Sequence, residues 1–145
     1  MKKILLLLVT VMAFGCSSDD SSNDDGSMAV TEANILGRWY MKGGTVNGGP
    51  FEDYEHECPA ERDFQEIFAN HTITFSGHGA DCEMNDTQTS DWALSGNTLT
   101  ISSAEPFLMS FSYNVVKLTN NEMILEGTFE APEGTMVERS TFVRN

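Results

Sequence analysis

Phe107-Leu108-Met109-Ser110-Phe111-Ser112-Tyr113-Asn114-Val115 decides the fold. Phe107, Met109, Phe111, Tyr113 and Val115 fall at alternate positions, with Ser110, Ser112 and Asn114 between them. A period of two is the pleat of a β-strand rather than the turn of a helix. A strand with one apolar and one polar face belongs to an antiparallel sheet that covers a core on one side.

The same signal recurs on both sides of this stretch. Upstream, Asp91-Trp92-Ala93-Leu94 and Thr98-Leu99-Thr100-Ile101 flank Ser95-Gly96-Asn97, a hairpin signature. Downstream, Thr119-Asn120-Asn121 turns the chain into residues 122–129, where Met123, Leu125 and Phe129 oppose Glu122, Ile124 and Glu126. Pro132-Glu133-Gly134 then turns it into a last strand over residues 135–144. Nearer the N-terminus, residues 64–68 and 72–75 read as two strands joined at Ala69-Asn70-His71, and residues 37–42 as the first. His71 is expected to be a solvated turn residue. A short helical turn over residues 31–36, capped by Thr31 with Ile35 and Leu36 inward, precedes them. Gly43-Gly44 and Asn47-Gly48-Gly49-Pro50 read as turns, residues 51–62 as an acidic loop or frayed helix, and residues 76–90 as a polar loop. About eight short strands joined in series predict an all-β, antiparallel up-and-down barrel, which leaves no exposed edge. A two-sheet sandwich is the alternative.

Ahead of the domain stand Lys2, Lys3 and the apolar run 4–14, then Gly15 and Cys16. The run is shorter than the ~20 residues a spanning helix needs. This N-terminus resembles a bacterial lipoprotein signal, with Ala13 and Phe14 departing from its commonest form. The resemblance implies cleavage after residue 15 and a diacylglyceryl group on the thiol of Cys16. Residues 17–27 hold only Ser, Asp, Asn and Gly, which cannot offset the entropy of ordering. The chain therefore divides into a signal peptide (1–15), a lipidated cysteine with a flexible polar tether (16–30) of roughly 20 Å reach, and a barrel domain (31–145). Ser17-Ser18-Asp19-Asp20 is similar to the signal that sends lipoproteins of Bacteroidetes-type bacteria to the outer face of the cell. That implies an outer-membrane protein anchored by lipid and exposed at the surface; a periplasm-facing domain is the alternative.

A formal net charge of −14 repels phosphate backbones, which excludes nucleic acid as a partner. Attachment to a membrane falls to the lipid alone. Cys58 and Cys82 form an even pair in an exported chain, which predicts a disulfide worth about 3 kcal/mol. The rival is a zinc site, because His56 and His78 stand near the two thiols, although the ligand spacing is poor.

The ordered series Leu36-Gly37-Arg38-Trp39, Cys58, residues 64–68 and 72–75, Cys82, Asp91-Trp92-Ala93-Leu94-Ser95-Gly96-Asn97-Thr98-Leu99 and Tyr113-Asn114-Val115-Val116-Lys117-Leu118-Thr119 resembles the lipocalin-like domains of many Bacteroidetes lipoproteins. The likeness runs from about residue 35 to 144, with an insertion between Cys82 and Trp92. It implies that Trp39 plugs the closed end of the barrel under a stacked arginine, Arg139 or Arg144.

No nucleophile elbow, zinc-protease helix or phosphate-cradling loop is present, and no carboxylate pair stands out for acid–base work. Neither catalysis nor a cofactor is expected. The inward faces supply the remaining signal: Phe75, Trp92, Met109, Phe111, Tyr113, Met123 and Leu125 are the candidate cavity lining. Glu138 joins them as a polar anchor if it shares the face of Met136 and Phe142, or else reaches solvent at the rim. An eight-stranded barrel can hold one small apolar ligand or fill itself with side chains. In the second case the acidic loops over residues 51–63 and 76–90 would meet a basic protein partner, the barrel serving as an inhibitor or interaction scaffold.

Overall fold

A computed structural model of the chain describes residues 26–103, 109–132 and 134–145. The signal segment, Cys16, most of the tether and Phe107 lie outside the described residues. A four-residue helix, α1 (Glu32–Ile35), is followed by nine strands: β1 (Gly37–Val46), β2 (Glu52–Asp53), β3 (Phe64–Ile67), β4 (Thr72–His78), β5 (Met84–Ser95), β6 (Thr98–Ser103), β7 (Ser110–Leu118), β8 (Glu122–Ala131) and β9 (Gly134–Val143). Thr31 caps α1, its hydroxyl accepting from the Asn34 N–H.

Every pairing is antiparallel, and β3 to β9 follow one another in sequence order around the sheet. β1 pairs with β3 on one side and with β9 on the other, which closes an eight-stranded barrel. The two-residue β2 adds to the outer half of β1 as a ninth strand. Closure satisfies the strand edges and sets the sandwich aside. The β5–β6 hairpin turns at Gly96-Asn97, with Gly96 at φ +58°, the first central position where a type II′ turn calls for glycine.

The main hydrophobic cluster gathers at one end. Ile35, Trp39, Ile67, Leu99, Leu118 and Met123 are at most 1% exposed, and Ile73, Trp92, Val115, Leu125 and Phe142 join the same cluster. A bulge in β7 between Val115 and Lys117 lets both Val115 and Leu118 point inward.

Three sequence expectations are corrected. Gly43-Gly44 is not a turn but the middle of β1, because glycine is also what lets strands approach closely. A Cβ on Gly43 would strike the Glu52 carbonyl oxygen of β2, and one on Gly44 the Arg139 carbonyl oxygen of β9. Residues 76–90 are not a loop: β4 runs to His78 and β5 starts at Met84, so only residues 79–83 connect them. The supposed insertion before Trp92 is therefore strand, and a scaffold reading loses one of its two acidic loops. The ordered region also begins before Thr31. The Met28 N–H donates to the Leu118 carbonyl at 2.7 Å, and Met28 and Val30 lie against the core.

Candidate functional site: a barrel with one end plugged and one end open

The closed end is built around Trp39. Its indole N–H donates to the Ile35 carbonyl at 2.8 Å, tying β1 to α1. The Arg144 guanidinium lies over the ring, 4.2 Å from its centroid, and donates to the carbonyls of Asn34 and Leu36. Of the two arginines named from the sequence, Arg144 makes the stack. Arg139 faces outward and pairs with Glu126. Trp92 is part of the same floor: its indole donates to the Phe68 carbonyl, and the exposed ring of His71 lies 4.8 Å from it.

The opposite end is the mouth, where β1, β4, β6 and β8 finish. Two hollows occupy the barrel below it, of about 220 and 250 Å³. They share Gln65, Ile101 and Tyr113. The first adds Met41, Leu125, Glu138, Ser140 and Phe142; the second adds Ile73, Phe75, Gln88 and Ser90. A third hollow of about 280 Å³ lies under the β1–β2 turn and shares Met41, Glu138, Ser140 and Phe142 with the first. All three are below or near the ~300 Å³ at which drug-sized sites begin. They suit a small molecule.

The candidate lining residues divide three ways. Phe75, Tyr113, Leu125 and Glu138 line the hollows. Trp92 and Met123 are buried in the floor and border none of them, because they sit nearest the plug. Met109 and Phe111 are 52% and 40% exposed at the mouth, where the barrel wall no longer encloses them. Alternation fixes the face of a residue and not its depth. With Val46, Phe51 and Met84, they give the mouth an apolar rim.

Glu138 lies on the inward face of β9 with Ser140 and Phe142, and the Ser140 hydroxyl donates to its carboxylate at 3.0 Å. Burial, and then the nearby Glu138 charge, push the Tyr113 phenol above its ordinary pKa. Gln65, 9% exposed, has a buried amide nitrogen with no hydrogen-bond partner. Gln65, Gln88, Ser90 and Ser140 are lining residues that sequence reasoning missed. They are polar, and only the placement of β3, β5 and β9 turns them inward.

Beside the mouth, Cys58 and Cys82 are bonded, joining the loop before β3 to the connection between β4 and β5. The thiols are thereby withdrawn from any zinc site, and among the described residues no cluster of His, Cys, Asp and Glu is arranged to hold a metal. His56 and His78 instead flank Asp63, which is 5% exposed. The carboxylate of Asp63 accepts from the Tyr54 hydroxyl and the His78 N–H, each at 2.8 Å, and its own N–H donates to His56 Nδ1 at 3.0 Å. Burial alone would raise the pKa of Asp63. The hydrogen bonds from His78 and Tyr54, with both imidazoles alongside, outweigh it and hold the carboxyl below its usual range. The Tyr54 phenol is pushed up to about 12, by burial first and by Asp63 second.

A closed eight-stranded antiparallel barrel, with a tryptophan plug under an arginine and an open hollow above, is the architecture of a lipocalin. The chain belongs to the lipocalin-like domain family, whose model matches residues 35–125. No curated protein matches the chain. Among solved structures it is similar to a protein from Bacteroides eggerthii DSM 20697, at 12% identity and a TM-score of 0.55, covering 76% of this chain and 98% of that one. It is also similar to lobster apocrustacyanin A1, at 16% identity and a TM-score of 0.50, covering 78% of this chain and 62% of that one. An odorant binding protein, OBP1, follows at 11% identity and a TM-score of 0.48, with 81% and 76% covered. At these identities the likeness is one of fold.

Proposed function

We propose that the protein is a lipid-anchored binder of a small, mostly apolar molecule in the cell envelope, and not an enzyme. The carrying observation is the set of adjoining hollows above the plug, walled by Met41, Ile101, Tyr113, Leu125 and Phe142. A self-filled barrel would need side chains where these hollows are. The lipocalin-like fold supports the reading, since the family's barrels characteristically hold small ligands.

Native against denaturing mass spectrometry of the exported protein tests it. A mass lost on denaturation is the expected result and gives the size of the ligand. A protein that carries no added mass, and that takes up no member of an apolar ligand panel, would sink the reading.

The anchor is a separate part of the proposal and rests on the Lys2–Lys3, apolar-run and Gly15-Cys16 pattern. Cys16 would hold the acyl chains, and the Ser/Asp-rich tether would set the barrel off the outer membrane, facing the cell exterior. Metabolic labelling with an alkynyl palmitate should mark the protein and not its Cys16→Ser variant. Protease treatment of intact cells should remove the barrel if it faces outward and spare it if it faces the periplasm.

A further inference from the structure

The hollow has a polarity of its own. Among the described residues, no lysine or arginine lines any of the three hollows, whereas Glu138 lies inside, and Glu52 and Asp53 stand exposed at the entrance. Arg139 and Lys42, each adjacent in sequence to a lining residue, are engaged elsewhere: Arg139 with Glu126 on the outer face, and Lys42 over the Phe51 ring. Among the described residues, the hydrogen-bond donor to Glu138 is the hydroxyl of Ser140. That leaves a half-buried carboxylate on the wall of the hollow with no opposite charge paired to it, so a cation entering the hollow would meet an acceptor already in place.

A second, independent residue borders the same space. The Gln65 amide nitrogen is buried, unpartnered and on the wall of the hollow that Glu138 also lines. A buried amide N–H without an acceptor is unfavourable, and a ligand oxygen that reached it would relieve that cost. The hollow therefore offers an anionic acceptor in Glu138 and an unpartnered donor in the Gln65 amide, set among Met41, Ile101, Tyr113 and Phe142.

Resting on the small-ligand reading above, we infer that the ligand is a small organic cation: a protonated amine on Glu138 and Ser140, an apolar body along the wall, and an acceptor oxygen for the Gln65 amide. The charge-assisted bond to Glu138 would carry selectivity, since neutral and anionic molecules of the same shape lack it. The acidic entrance and the formal net charge of −14 would draw cations to the mouth.

The test is displacement of a neutral apolar fluorophore, N-phenyl-1-naphthylamine, from the exported protein by a matched series: 4-phenylbutylamine, 4-phenylbutan-1-ol and 4-phenylbutanoate at neutral pH. The amine is expected to displace it at concentrations at least tenfold lower than the alcohol, and the carboxylate to be weakest. Glu138→Gln, which keeps shape and removes charge, should bring amine and alcohol within about twofold of each other. A 4-methoxy group on the amine should tighten binding about threefold or more in the parent, and by nothing in Gln65→Leu. If the fluorophore is bound but amine and alcohol compete equally in the parent protein, which needs no variant to fold, the cation inference is overturned while the small-ligand reading stands. A fluorophore that is never bound overturns both.

Discussion

Arg144, the penultimate residue, lies flat over Trp39 and at the same time donates to the carbonyls of Asn34 and Leu36 at 2.9 and 3.0 Å. One side chain thus ties the end of β9 to the C-terminal end of α1 and to the plug. A stack on a desolvated ring is worth ~1–2 kcal/mol, and charged donors on buried carbonyls ~1.5–3 kcal/mol. Arg144→Ala should therefore lose about 2–4 kcal/mol in urea unfolding, and Arg144→Lys should recover less than half, because an ammonium cannot both stack and fork. Arg139→Ala, which removes only an exposed pair with Glu126, should stay within about 0.5 kcal/mol of the parent. Equal losses at the two sites would refute the assignment of Arg144 as the structural arginine.

Gly44 sits where β1 passes β9, and a methyl group there would meet the backbone carbonyl of Arg139. Backbone cannot give way as a side-chain tip can, so Gly44→Ala should cost at least about 2 kcal/mol. It should also weaken ligand retention, since Gly43 and Gly44 border the hollow under the β1–β2 turn. Gly48→Ala offers the contrast. Its φ is +69° but nothing lies within 4 Å of the added carbon, so it should lose only the smaller backbone term, about 1 kcal/mol. Matching losses in chemical denaturation would mean that the close approach of β1 and β9 is not what Gly44 is for.

The barrel was legible because most of its strands bury one face and solvate the other. The β5–β6 hairpin and the alternation of β7 and β8 follow from Ser95-Gly96-Asn97 and from residues 109–115 and 122–129. The first half of β5 was illegible for a reason that bears on function. Gln88 and Ser90 face the hollow while Thr87 and Thr89 face outward, so a strand lining a polar part of the cavity shows no apolar period and reads as a loop. Gly43-Gly44 was misread because turns and close strand contacts call for the same residue. Depth was the other loss. Trp92, Tyr113 and Phe111 share the inward side, yet they lie at floor, hollow and mouth, and only the register of β5 to β7 separates them.

Cys58 is 1% exposed, and its sulfur accepts from the N–H groups of Ala60 and Glu61, so the disulfide is seated in a formed loop. It spans a sequence separation of 24 residues, for which loop-closure entropy gives about 3 kcal/mol. The double variant Cys58→Ala/Cys82→Ala should unfold at lower urea by that amount and keep the barrel's circular dichroism. In the parent, neither cysteine should be alkylated in denaturant until a reductant is added. Alkylation without reduction would show that the bond does not form in the exported protein.

Asp63 and Tyr54 form a hydrogen-bonded pair at 2.8 Å whose two pKa values move in opposite directions, and so give opposite pH limits. The folded pKa of Asp63 lies below its unfolded value of ~3.9, so its contribution is fully present above roughly pH 5 and fades as pH falls through the folded value. The phenol of Tyr54 is the reverse case. With a folded pKa of about 12 against an unfolded ~10, its contribution is complete below pH ~10 and is lost as pH rises through the folded value. Asp63→Asn should therefore cost stability at neutral pH, with the gap to the parent constant down to about pH 5 and closing below ~4. In an ultraviolet titration of the folded protein, one tyrosine should ionise near 12, and Tyr54→Phe should remove that step. Tyr54→Phe should also shift Asp63 toward its ordinary value, because the carboxylate keeps the His78 N–H but loses the phenol donor. If the Asp63→Asn gap were the same at pH 3 as at pH 7, the carboxylate would not be what holds the loop between β2 and β3 against the mouth.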